Sequence, residues 1–151
     1  MYPYYHGYIE AKEGARLVRE IAQAINGEYS AIACYEELIK MAPTEEEKKR
    51  IGEIREDEVR HFRLFSNLYT KLTNRKPVPR ITEKCPGEYK AGLIAAFYDE
   101  QETVDFCLDM ADRARDPFIK EVFRRAAADE QNHAVYFLNY MVKHNVYHSC
   151  D

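Results

Sequence analysis

The chain has 151 residues, with 22 Lys and Arg against 26 Asp and Glu and a formal net charge of −4. That balance excludes a protein built to grip phosphate backbones, which needs a basic excess, and no apolar run approaches the roughly 20 residues of a membrane span. Hydrophobic residues at 46% supply the core of one domain, while only six Gly and six Pro leave room for long uninterrupted helices.

Residues 1–10 hold four Tyr and one Pro. They read as an N-terminal arm outside the helices, with His6 exposed. No signal-peptide pattern is present, so a cytoplasmic protein is expected.

Four helical stretches follow, each with core positions at a 3,4 spacing. Helix one is expected over residues 11–41, with a seam from Leu17 and Ile21 through Glu28 to Tyr35 and Leu38. Pro43 stops it. Thr44 is the expected N-cap of helix two, followed by Glu45, Glu46 and Glu47 at the positive end of the helix dipole. Helix two is expected over 45–74, with the seam Ile51, Ile54, Glu58, His61, Phe65, Leu68, Leu72.

Residues 75–87 carry Pro77, Pro79, Pro86 and Gly87 and read as a linker. Helix three is expected over 88–115, its seam running from Tyr89 and Leu93 through Glu100 and Thr103 to Cys107 and Met110. Asp116-Pro117 is an N-cap followed by Pro at the first helical position. Helix four is expected over 117–144, its seam running from Ile119 and Phe123 through Glu130 and His133 to Phe137, Tyr140 and His144. Residues 145–151 form a C-terminal tail.

Loop lengths give the topology. Joins of a few residues make helical hairpins of helices one and two, and of three and four. The 75–87 linker reaches roughly 43 Å when extended, and a 28-residue helix is about 42 Å long. The linker is just long enough to run the length of a bundle. The expected fold is all-α, a ferritin-like four-helix bundle with a long crossover between helices two and three. An up-down bundle with a loose middle loop is the alternative.

The four cysteines, Cys34, Cys85, Cys107 and Cys150, contain no C-x-x-C pair, which removes zinc-ribbon and thioredoxin-type readings. An even count permits disulfides, but a domain of this size does not need them. Cys34 and Cys107 fall inside helical patterns and read as small apolar residues.

Each seam is apolar except near its middle. Helix one is interrupted by Glu28, helix two by Glu58 and His61, helix three by Glu100, and helix four by Glu130 and His133. Four buried carboxylates converging in one place repel one another unless cations or protons neutralise them. The spacing repeats: Glu28 to Glu58 and Glu100 to Glu130 are both 30 residues, and each second Glu precedes its His by three. The whole set recurs at an offset of 72, together with Asp57 and Asp129, Phe65 and Phe137, and Asn67 and Asn139. Two similar hairpins about a pseudo-twofold axis would therefore bring the six groups together. Glu-x-x-His on a helix puts carboxylate and imidazole on one face. Four carboxylates and two imidazoles suit two divalent metal ions, iron most naturally, with manganese or zinc as alternatives. A surface salt-bridge pattern is the plain alternative.

The segments Ile25-Asn26-Gly27-Glu28, Asp57-Glu58-Val59-Arg60-His61, Ala95-Ala96-Phe97-Tyr98-Asp99-Glu100 and Asp129-Glu130-Gln131-Asn132-His133 resemble ferritin-like di-iron carboxylate proteins, in the rubrerythrin and bacterioferritin branch. The resemblance covers residues 11–144. It implies metal ligation by Glu28, Glu58, His61, Glu100, Glu130 and His133, with Glu58 and Glu130 bridging. It also implies that Asp57 holds His133, that Asp129 holds His61, and that Tyr35 hydrogen-bonds a ligand carboxylate. Salt bridges to neighbouring Arg, and a plain core Tyr, are the alternatives.

Two departures from the family bear on the chemistry. The two C-x-x-C pairs of the rubredoxin-type domain usual in rubrerythrins do not occur in these 151 residues, so electrons are expected from an external donor. The second helix-three Glu of rubrerythrins is replaced here by Thr103, with Glu102 rotated off the face, which leaves a symmetric six-ligand site. Met41, Met110 and Met141 carry no haem signal. The resemblance implies an oxidoreductase acting on hydrogen peroxide or dioxygen, in a homo-oligomer such as a dimer. A metal-binding or iron-storage protein, and a structural protein with a stabilising metal site, remain as alternatives.

Overall fold

A computed structural model describes residues 3–146, with side chains described from Ala11. Four helices occur in it: α1 (Pro3–Met41), α2 (Glu45–Thr73), α3 (Tyr89–Arg113) and α4 (Pro117–Lys143), with no strand among the described residues. Helix α1 starts at Pro3, so the arm expected to be non-helical is helical from that residue on. Proline is accommodated in a first helical turn, where its missing N–H leaves no bond unmade. The reading of His6, and the tail beyond residue 146, lie outside what is described.

The other helix starts follow from their caps. Thr44 accepts a hydrogen bond from the Glu47 backbone N–H, and the Asp116 carboxylate accepts from the N–H groups of Phe118 and Ile119. Helix α2 ends at Asn74, which takes the left-handed conformation at φ 55°.

The hairpins α1–α2 and α3–α4 pack face to face, α1 against α3 and α2 against α4. The crossover, residues 74–88, runs alongside α1 in the same direction. Asn26 Oδ1 accepts from Arg80 N–H at 2.8 Å, Ser30 Oγ accepts from Thr82 N–H at 2.9 Å, and Cys34 is disulfide-bonded to Cys85. Residues 26, 30 and 34 are successive turns of one helix face. This is the long crossover of a ferritin-like bundle rather than a loose loop. The disulfide corrects the reading of Cys34 as a plain apolar residue. A Cys at a helical core spacing still faces whatever chain lies on that face, and here the crossover brings Cys85 to it. Cys107 is free and fully buried, as expected.

Two apolar clusters fill the bundle. One holds Ile21, Ile25, Phe65, Met110 and Phe123, with the Phe65 and Phe123 rings stacked at 4.8 Å. The other holds Tyr35, Leu38, Ile51, Leu93, Phe137 and Tyr140. Phe65 and Phe137, equivalent under the 72-residue repeat, lie in opposite clusters, as a twofold axis between them requires. Of the expected seams, Leu72 is exposed, because it sits in the last turn of α2 beyond the packed core.

Candidate metal centre

Between the two apolar clusters lies one polar layer. Glu28 from α1, Glu58 and His61 from α2, Glu100 from α3, and Glu130 and His133 from α4 are all buried, none more than 4% exposed. They form two groups in which potential ligand atoms lie within 4.8 Å of one another: Glu28, Glu58, His61 and Glu130 in one, and Glu58, Glu100, Glu130 and His133 in the other. Glu58 and Glu130 belong to both.

The imidazoles are aimed by their second nitrogen. His61 Nδ1 faces inward, 2.9 Å from a Glu130 oxygen and 3.2 Å from a Glu58 oxygen. Its Nε2 lies 3.0 Å from Asp129 Oδ2. His133 repeats the arrangement, with Nδ1 2.9 Å from Glu58 Oε1 and Nε2 3.0 Å from Asp57 Oδ2. Each Asp thus fixes the imidazole of the opposite hairpin, the type of contact that orients a metal-bound histidine. The alternative partner is present too: Arg60 contacts both Asp57 and Asp129, and Arg125 lies 3.3 Å from Asp129. Arg and His share the carboxylates instead of competing for them. Tyr35 donates its hydroxyl to Glu100 at 2.5 Å, across the bundle from its own helix. Its equivalent at the 72-residue offset is Cys107, so the two hairpins differ at this position.

Electrostatics show what the layer lacks. Burial, reinforced by the Glu130 and Glu58 charges, pushes the Glu28 carboxyl well above its ordinary range. Burial and the same two neighbours do this to Glu100. Burial alone would pull the His61 imidazole down, but Glu130 and Glu58 outweigh it and raise its pKa to about 10. His133 is raised by Glu100, Glu130 and Glu58 in the same way. Glu130, despite its burial, is held below the usual carboxylate range by bonds from Glu100, His133 and His61. The layer therefore favours the protonated forms of Glu28, Glu100 and both imidazoles more than water would. Glu58 Oε1, Glu100 Oε2, Glu130 Oε1 and His133 Nδ1 are buried without a well-formed hydrogen bond and are left with charge contacts to one another and to His61 at 2.9–3.5 Å. Buried carboxylate oxygens and imidazole nitrogens crowded against one another in this way fit a pair of cations, and the oxygen-and-nitrogen donor set suits iron, manganese or zinc.

A cavity of about 350 Å³ opens onto the layer between α1 and α3. It exposes Glu28, Glu58, Glu100 and Glu130 at its floor, with Gly27, Thr103 and the crossover residues Thr82 and Glu83 along its walls. A Cβ on Gly27 would meet no atom within 4 Å, so the wall is open there. Asp99 also lines it, its pKa raised to about 8 by burial and by the Glu83 charge.

Sequence reasoning missed Glu83, Asp99, Arg60 and the Cys34–Cys85 bond. Asp99 precedes the seam Glu100 by one residue, and Arg60 lies within the second quoted motif, so spacing offered a signal for both. Glu83 and Cys85 lie on the crossover, where no periodicity exists to read.

Residues 19–141 match the family described as Rubrerythrin. The chain is 49% identical over 142 residues to the uncharacterized protein YhjR of Bacillus subtilis (strain 168), covering 94% of this chain and 98% of that one. Two solved structures share the fold. A hypothetical protein of Pyrococcus furiosus superposes with a TM-score of 0.73 at 19% identity, over 82% of this chain and 87% of that one. A two-domain Anabaena variabilis protein with DJ-1/ThiJ/PfpI-like and ferritin-like domains gives 0.68 at 16% identity, over 91% of this chain and 40% of that one. With its ferritin-like bundle and a carboxylate and histidine cluster compatible with a dimetal site, the chain belongs to the Rubrerythrin family.

Proposed function

We propose that this protein is a dimetal-carboxylate oxidoreductase, holding two iron ions (or two manganese ions) and acting on hydrogen peroxide or dioxygen. One observation carries the reading: two four-residue clusters of buried carboxylates and imidazoles share Glu58 and Glu130. When bound, such an ion pair supplies Lewis acidity and reducing electrons for a small oxidant.

The chain's own residues do the rest. Glu58 and Glu130, shared by the two clusters, would help hold both ions, with Glu28 and His61 available to one and Glu100 and His133 to the other. Asp129 and Asp57 keep the imidazoles turned inward. The Tyr35 hydroxyl fixes the orientation of Glu100 and places an O–H beside the centre. The apolar clusters on both sides exclude bulk water, while the α1–α3 cavity gives a small oxidant a way to the carboxylates. Glu83 and Asp99 at that cavity present acid groups to arriving cations. An external donor restores the electrons.

Anaerobic loading with ferrous iron, followed by peroxide or dioxygen, tests this reading. Absorbance of the oxidised metal pair is expected to appear within the loaded wild type and not in Glu58→Ala. A correctly loaded site that responds to neither oxidant would overturn it, and would favour a storage or structural role.

A further inference from the structure

We propose that Cys34 and Cys85 are a redox-active dithiol pair that supplies the two electrons consumed when one peroxide is reduced at the metal centre. This rests on the oxidoreductase reading above. The pair is placed for it. Cys34 immediately precedes Tyr35, whose hydroxyl is bonded to Glu100. The Cys34–Cys85 bond lines a small cavity of about 40 Å³ that shares Ala31, Tyr35, Glu83 and Asp99 with the larger cavity over the carboxylates. The sulfurs therefore line a cavity that adjoins, through these four shared residues, the space an oxidant would occupy.

The two partners also suit reversible chemistry. Both are half-buried, within reach of an external thiol, whereas Cys107 is sealed in the core. Cys85 sits on the irregular crossover, so breaking the bond disrupts no helix. The hydrogen bonds from Arg80 to Asn26 and from Thr82 to Ser30 hold that strand on α1 without the disulfide. The thiols consequently stay close enough to re-form it.

The reaction balances. One peroxide and two thiols give one disulfide and two waters: the O–O bond breaks, the S–S bond forms, and both thiol hydrogens leave in the water. Each sulfur gives up one electron and the peroxide takes two. An external dithiol then resets the pair by thiolate attack on the disulfide through a mixed disulfide.

The test uses the full chain, reduced, freed of reductant and loaded anaerobically with ferrous iron. One equivalent of hydrogen peroxide is added. Free thiols are titrated, peptides are mapped by mass spectrometry, and the absorbance of the oxidised metal is followed. Wild type is expected to lose two of its four thiols, recovered as the Cys34–Cys85 cross-linked peptide, as the metal absorbance decays. In Cys85→Ser and in Cys34→Ser, each checked for native helicity and metal content, the absorbance is expected to persist with no thiol pair lost. The proposal is overturned if wild-type absorbance persists as in the variants while Cys34 and Cys85 stay reduced. It is equally overturned if metal-free protein forms the disulfide as fast as loaded protein. A failure of the oxidoreductase reading looks different: neither the metal absorbance nor the thiols change, and both proposals fall together.

Discussion

Asp57 and Asp129 decide how well the histidines of this centre are aimed. Each accepts from an imidazole at 3.0 Å, and Arg60 contacts both. Removing a carboxylate that orients a ligating histidine typically weakens metal binding 10- to 100-fold. Asp57→Ala and Asp129→Ala are each expected to lose about that much, read by competition with a chelator, while helicity by circular dichroism stays native. An unchanged affinity would mean that Arg60, not His, is the functional partner of these carboxylates.

Proton linkage belongs to the same scale. Without metal, burial and the neighbouring charges make Glu28 and Glu100 hold their protons more tightly than ordinary carboxyls, and Glu130 and Glu58 do the same for the His61 and His133 imidazoles. Metal ligation needs all four groups deprotonated. Loading is therefore expected to release protons, measurable by titration in weakly buffered solution. The sign follows: raised pKa values favour the protonated, metal-free state, so apparent affinity is expected to rise as pH is raised. An affinity independent of pH would contradict this.

Among the elements, the end of the bundle where α2 begins is tied together by Glu47. Its side chain is fully buried and accepts from Tyr89 of α3 at 2.7 Å, Lys143 of α4 at 2.7 Å and His144 at 2.8 Å. Burial alone would raise its pKa. These partners, with Thr44, outweigh burial and hold it at about 2 against an ordinary 4.5. A depressed carboxylate contributes stability that is complete above the unfolded value and is lost as pH falls through the folded one. The contribution is about 3 kcal/mol. Urea denaturation of wild type and Glu47→Gln is expected to show a gap of that order near neutral pH, closing as pH falls from 4.5 toward 2. A constant gap would mean that the loss is one of packing alone. The crossover is the other constrained element. Its disulfide closes a loop with a sequence separation of 51, a closure worth up to about 4 kcal/mol in the chain-entropy picture.

Across the whole molecule, the internal repeat made most of the architecture legible. Glu28, Glu58, Glu100 and Glu130 interrupt apolar seams at matching places. That pattern carried the bundle, the pairing of hairpins and the convergence of six side chains into one layer. Helix periodicity encodes which face is buried, so such residues announce themselves. Contacts made by irregular chain do not. Cys85 and Glu83 follow no period, and their partners on α1 and α3 are fixed only once the crossover is laid along the bundle. Glu47 was legible as a helix-start acid but not as a buried node, because its partners come from sequence-distant ends of α3 and α4. The start of α1 at Pro3 escaped because a Tyr- and Gly-containing segment lacks the apolar spacing that marks a buried helix face.

The account stands or falls on two ions held jointly by Glu58 and Glu130. Metal content per chain, measured by elemental mass spectrometry on anaerobically loaded and desalted protein, tests it most directly. Two iron or manganese ions per chain are expected in wild type, and fewer than one in Glu58→Ala with the helical fold retained. Loaded wild-type protein that retains no metal, or a Glu58→Ala variant that keeps both ions, would contradict it.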